Sequence, residues 1–144
     1  KGGLMYSFPS KEALLQAMIG SLIESFEERR EILRKECSGE TPNELLVEIK
    51  MMLELDETGV RHSAALLATL ANQPELMAPF HKDMRKQFSE RILSRENSER
   101  ASSIFLSSME LHFSALFNIP ILSPAQRKKI YEKLMCLACE DEGI

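Results

Sequence analysis

The 144-residue chain reads as an all-α protein. Three observations carry that reading. Apolar residues recur three and four apart along most of the length, no segment sustains the strict alternation of a half-buried strand, and capping residues with Pro or Gly punctuate the pattern at helix-sized intervals. Hydrophobic content of 44% and charged content of 28% are ordinary for a globular domain. The length suffices for one core that buries roughly 68% of the unfolded surface.

The first element is short: Leu4 and Phe8 stand four apart on one helix face, Pro9 stops that helix, and Ser10 caps the next at Lys11. A long helix then spans Lys11 to Glu36, with Leu15, Met18, Leu22, Phe26 and Leu33 expected on one side and the charges from Glu24 to Arg30 largely on the other. Ser38-Gly39 ends it. Thr41-Pro42-Asn43-Glu44 has the form of a capping box with Pro at the first helical position, and the helix it opens reaches about Leu55 with Leu46, Ile49, Met52 and Leu53 inward. Asp56-Glu57-Thr58-Gly59 reads as a break before a third helix over Val60 to Asn72.

Pro74 opens the fourth helix, on which Leu76, Phe80, Met84, Phe88 and Ile92 recur every four residues. Pro79 near its start predicts a short first turn and a kink before the regular part. The polar stretch Ser94 to Ser98 leads to a fifth helix, Glu99 to Phe117. Phe105, Met109, Phe113 and Leu116 form one stripe there, with Ile104, Leu111 and Ala115 forming another beside Ser107, Ser108 and Ser114. Asn118 to Leu122 turns the chain, and Ser123-Pro124-Ala125-Gln126 caps a last helix carrying Ile130, Tyr131, Leu134, Met135, Leu137 and Ala138. Two consecutive helices with surplus apolar surface predict a two-fold homodimer built on a four-helix bundle, with Phe105, Met109, Leu116, Ile130, Leu134 and Leu137 at its interface.

Composition excludes several function classes. A net charge of −4 argues against the body of the chain being a nucleic-acid surface; Lys1 and Lys11 are the only charged side chains before Glu12, and Arg127-Lys128-Lys129 reads as a solvated first turn. The odd count of cysteines, Cys37, Cys136 and Cys139, suits a reducing compartment. Cys136-x-x-Cys139 falls inside a helical pattern, where it reads as two small residues on a buried or dimer-facing helix rather than a redox or zinc site. His62, His81 and His112 lack metal-ligand spacing, and no G-x-S-x-G, G-x-G-x-x-G or P-loop occurs. No catalytic group, metal or cofactor is expected, and the chain is not read as an enzyme. No run approaches the ~18 apolar residues of a membrane span, so a cytoplasmic protein is expected.

The segment Lys1 to Leu15, KGGLMYSFPSKEALL, resembles the recognition helix and turn of the TetR-type bacterial transcriptional regulators, close to K-G-T-L-Y-Y-H-F-x-S-K-E-A-L-L. Lys1, Gly2, Leu4, Tyr6, Phe8 and Ser10 to Leu15 fit; Gly3, Met5 and Ser7 depart. The resemblance implies that residues 1–10 end a helix-turn-helix DNA-binding domain and that residues 11–144 form a helical effector-binding and dimerisation domain. It also implies two earlier helices, roughly 40 to 50 residues, ahead of Lys1. Lys1, Gly2, Gly3, Tyr6 and Ser7 then stand where the family meets bases or backbone of double-stranded operator DNA, and Lys11 where it meets a phosphate.

Eight Met and seven Phe with no Trp make stripes able to repack around an apolar ligand. The family places an effector pocket among these helices. Facing stripes suggest Leu22, Phe26, Met52, Leu66, Phe80, Met84, Phe88 and Phe113 as its lining, with His62 or His81 as polar anchor. The implied protein is a homodimeric repressor released from DNA by a small, largely apolar effector that shifts the Lys11 to Glu36 helix. The alternative is a helical protein-interaction module whose first fifteen residues match by accident.

Overall fold

The computed structural model describes residues 8–37, 43–53 and 57–140, and among them holds six α-helices and no strand. These are α1 (Lys11–Glu36), α2 (Glu44–Leu53), α3 (Glu57–Leu70), α4 (Ala78–Phe88), α5 (Ser98–Leu116) and α6 (Pro124–Glu140). A 3₁₀ turn, Pro74–Met77, leads into α4, and a π-helical turn, Ser89–Leu93, extends it.

Local chemistry explains the boundaries. Ser10 accepts a hydrogen bond from the Ala13 amide at 3.0 Å, satisfying one of the donors that a helix start leaves open. Asn43 caps α2, its Oδ1 accepting from the Leu46 amide at 3.0 Å while its Nδ2 donates to the Ala138 carbonyl at 2.9 Å; Thr41 and Pro42 of the expected box lie outside the described residues. One buried amide thus starts α2 and ties it to the end of α6. Ser123 and Gln126 form the reciprocal box at α6, with bonds of 2.9 and 3.3 Å. At the end of α5, Asn118 takes φ = 52°, and the Ile119 amide reaches back to the Ser114 carbonyl at 2.8 Å, the left-handed closure that Asn tolerates well.

Several expectations are corrected. Residues Glu57, Thr58 and Gly59 are helical, so α3 starts earlier than the turn-like composition suggested. On α1 the core stripe is Leu15, Ile19, Leu22, Phe26, Arg30 and Leu33. Met18 is 47% exposed and Ile19 is buried. Steps of four, three, four, four and three keep those residues within one sector at 100° per residue, and the same arithmetic turns Arg30 inward. Among the described side chains of α2 none is exposed: Leu45, Val47, Glu48, Ile49 and Met51 are all buried, because α1, α5 and α6 pack on it from different sides.

The main core joins Leu45 and Ile49 of α2 with Ile92, Ala101, Ile104, Phe105 and Leu111, and with Tyr131, Leu134 and Ala138 of α6. Tyr131 is buried and its hydroxyl donates to the Ile49 carbonyl. A second cluster sets Leu15 and Ile19 of α1 against Leu70 and Leu76. Each fully buried aliphatic side chain here contributes on the order of 1.5–3 kcal/mol from apolar burial.

Candidate functional site

Between α1, α2, α4 and α5 the helices leave a chamber of about 100 Å³. Its floor and sides follow from helix periodicity. Leu22, Phe26 and Arg30 come from successive turns of α1; Glu48, Met51 and Met52 from α2; Phe80 and Met84 from α4; and Phe105, Met109, His112, Phe113 and Leu116 from α5. Ser63 and Leu67 of α3 complete the lining. Of the residues assigned to an effector pocket, Leu22, Phe26, Met52, Phe80, Met84 and Phe113 meet around this one space. Phe88 does not: it packs into the main core, with its ring centroid 5.4 Å from that of Phe105. His81 is exposed and lines a separate surface hollow with Lys82 and Arg85. The side chains of His62 and Leu66 lie outside the described residues.

The polar part of the wall is Arg30, Glu48, Ser63 and His112. Arg30 Nε donates to Glu48 Oε1 at 2.9 Å, with both side chains about 5% exposed. Arg91, from the π turn, donates to the same oxygen at 2.6 Å and also reaches Glu27 at 3.2 Å. Arg34 pairs with Glu44 at 2.7 Å, with Glu27 at 3.1 Å, and with Glu31. Three guanidinium groups and four carboxylates therefore lock α1 to α2 and to the end of α4. Partial burial alone would raise the Glu27 carboxyl, but the Arg34 hydrogen bond and the charges of Arg91 and Arg30 outweigh it and hold it below its ordinary value of 4.5.

His112 Nδ1 lies 3.2 Å from the Met52 carbonyl. Burial of the ring pushes its pKa below the ordinary 6.5, only partly opposed by that hydrogen bond. Sequence reasoning missed Arg30, Glu48 and His112 as wall residues. The spacing signal was nonetheless present: Arg30 follows Leu22 and Phe26 by whole turns, and His112 follows Phe105 and Met109 by seven and three residues.

Outside His112 and Met52 lies a wider cleft of about 1120 Å³, lined also by Leu111, Ile119, Arg127, Tyr131 and Met135. Arg127 donates to the Leu111 carbonyl at 3.4 Å at its edge.

The faces assigned to dimerisation divide. Phe105, Leu116 and Leu134 are buried within the single chain, and Met109 lines the chamber, so these four look inward. Ile130 is exposed and Leu137 partly so. The apolar side chains that α5, α6 and their connection turn outward are Leu106, Phe117, Ile119, Ile121 and Ile130. Cys136 and Cys139 are exposed on α6 rather than buried, and the neighbouring Glu140 carboxylate, by accepting from Cys136, pushes that thiol's pKa up, opposite to what a reactive thiolate needs. Lys11 is exposed in the first turn of α1, whereas Lys1, Gly2, Gly3, Tyr6 and Ser7 lie outside the described residues. Among the described residues no group of His, Cys, Asp or Glu has the arrangement of a metal site, and no helix is long and apolar enough to cross a membrane.

No curated protein and no solved structure matches the chain. The family described as tetracyclin repressor-like, C-terminal domain, matches residues 47–138, more than half of the sequence and all of the helices from the body of α2 to nearly the end of α6. With an all-helical body around an interior chamber and that match, the chain belongs to the TetR-type family of transcription regulators.

Proposed function

We propose that this chain is the effector-binding and dimerisation part of a DNA-binding repressor, and that the chamber bounded by Leu22, Phe26, Met84 and Phe113 takes the effector. One observation carries the reading: α1, which begins directly after the helix-turn-helix-like segment, contributes Leu22, Phe26 and Arg30 to the chamber wall. A ligand that favours one position of α1 therefore changes the placing of whatever precedes Ser10. It does so only by its difference in affinity for the two positions, typically about 1–3 kcal/mol.

In this reading residues 1–10 end the DNA-reading domain. Lys1, Gly2, Gly3, Tyr6 and Ser7 approach bases or backbone, and Lys11 a phosphate, in a cytoplasmic homodimer paired through the outward apolar side chains of α5 and α6. Half-sites on operator DNA are then separated by whole helical turns, so altered spacing between the two reading heads releases one of them.

The experiment is selection of DNA from a random pool by the complete regulator, followed by salt titration of the selected sequence. Two-fold symmetric half-sites are expected, and Lys11→Ala should lower the slope of log affinity against log salt by about one. Absence of any enriched sequence would overturn the proposal, and an unchanged slope would remove Lys11 from the phosphate contact.

A further inference from the structure

His112 stands where two spaces meet, since it and Met52 line both the interior chamber and the wider cleft. The chamber alone, at about 100 Å³, has room for little more than a single small ring. Small-molecule sites usually enclose about 300–1,000 Å³. A ligand of ordinary size that occupies the chamber extends beyond it, and the cleft that shares His112 and Met52 with the chamber is the described space able to take the remainder, which sets the middle of such a ligand beside the imidazole.

The chemistry of that imidazole is set by its one hydrogen bond. The Met52 carbonyl can only accept, so Nδ1 carries the ring proton and Nε2 is left as a bare acceptor. Among the described residues the bond to Met52 is the ring's only hydrogen bond. The charged groups on the chamber wall face one another: Arg30 donates to Glu48, which Arg91 also holds from outside the lining. Among the described residues no donor is bonded to Nε2, which leaves that acceptor to a ligand.

We propose that the ligand of this chamber is an apolar molecule bearing a hydroxyl or N–H group that donates to Nε2 of His112, with one apolar arm among Phe26, Met84 and Phe113 and the rest in the cleft. The assignment rests on the ligand-responsive reading above and narrows it to a chemical class. A carboxylate in the same place would set acceptor against acceptor. Protonating the ring would relieve that conflict, but burial opposes the imidazolium form.

Three probes of one shape test this by calorimetry on the full chain: 4-butylphenol, its methyl ether 4-butylanisole, and 4-butylbenzoate. The phenol should bind at least about tenfold more tightly than the ether, a difference of about 1.4 kcal/mol, and the benzoate more weakly than either. His112→Phe should keep the ether's affinity and erase the phenol's advantage. His112→Gln, which retains an acceptor oxygen, should keep part of it. The phenol-to-ether ratio in the unmodified protein needs no variant to fold. Equal binding of phenol and ether, tighter binding of the benzoate, or a preference that survives His112→Phe would overturn the assignment while leaving a ligand chamber in place. Failure of all three probes to bind would overturn the assignment, whereas the ligand-responsive reading stands or falls with the DNA selection described above.

Discussion

The two halves of α1 are held by different physics. Its first half leans on the body through Leu15 and Ile19, which pack against Leu70 of α3 and Leu76 of the 3₁₀ turn in an apolar cluster. Its second half is pinned by Arg30 and Arg34 to Glu44 and Glu48 of α2, and Glu27 meets Arg91 of the π turn. Apolar contacts trade partners over small displacements at little cost, whereas charge-assisted hydrogen bonds at 2.6–2.9 Å lose most of their value when misaligned. The comparison separates a first half whose contacts tolerate small displacements, and which is the half nearest residues 1–10, from a second half whose directional bonds resist them.

The strongest way to break that contrast is to remove the carboxylate shared by two guanidinium groups. Glu48→Ala leaves Arg30 and Arg91 without their buried partner, and it should destabilise the fold by about 3–5 kcal/mol in chemical denaturation. A cost below about 1 kcal/mol would show that the network does not hold the second half. Ile19→Ala tests the other half. It should cost about 2–4 kcal/mol in the same measurement, with the denaturant slope unchanged. If Ile19→Ala instead proves harmless, the first half is not docked through this cluster.

A smaller effect sharpens the picture through pH. Glu27 is depressed in the folded chain, so its contribution is present above pH 4.5 and is lost as pH falls through the folded value. His112 is also depressed, and for a base this means the unfolded chain binds the proton more readily. Stability therefore begins to fall as pH drops below 6.5, before Glu27 takes part. The stability curve of the unmodified chain should decline in two stages, and His112→Phe should abolish the first while leaving the second. A first stage that survives the substitution would assign it to another group.

Much of this was legible along the chain because helix periodicity is a local property. Ser10, the Ser123–Gln126 box and the stripe from Leu76 to Ile92 announced their elements, and Leu22, Phe26, Met84 and Phe113 announced one shared space by facing inward at helical spacing. The errors fall where a residue's polarity outweighed its position. Arg30 sits on the apolar stripe of α1 but carries a charge, and His112 sits beside Phe113 on the chamber side of α5, so their place on the wall was passed over. Phe105, Leu116 and Leu134 were assigned outward because a stripe does not say which of two neighbours it will meet.

By itself, then, the order of residues determined the all-helical character, most helix starts, and the family to which the regulator belongs, since caps, prolines and 3.6-residue spacing act within a few positions. Only the tertiary structure decided that Glu48 would be buried between two arginines, that none of the described side chains of α2 would be exposed, and that His112 would stand between a chamber and a cleft. Those outcomes depend on which helices become neighbours. Side chains as far apart in sequence as Glu48 and Arg91 meet only after packing removes them from water, where pairing becomes the condition for leaving a charge inside.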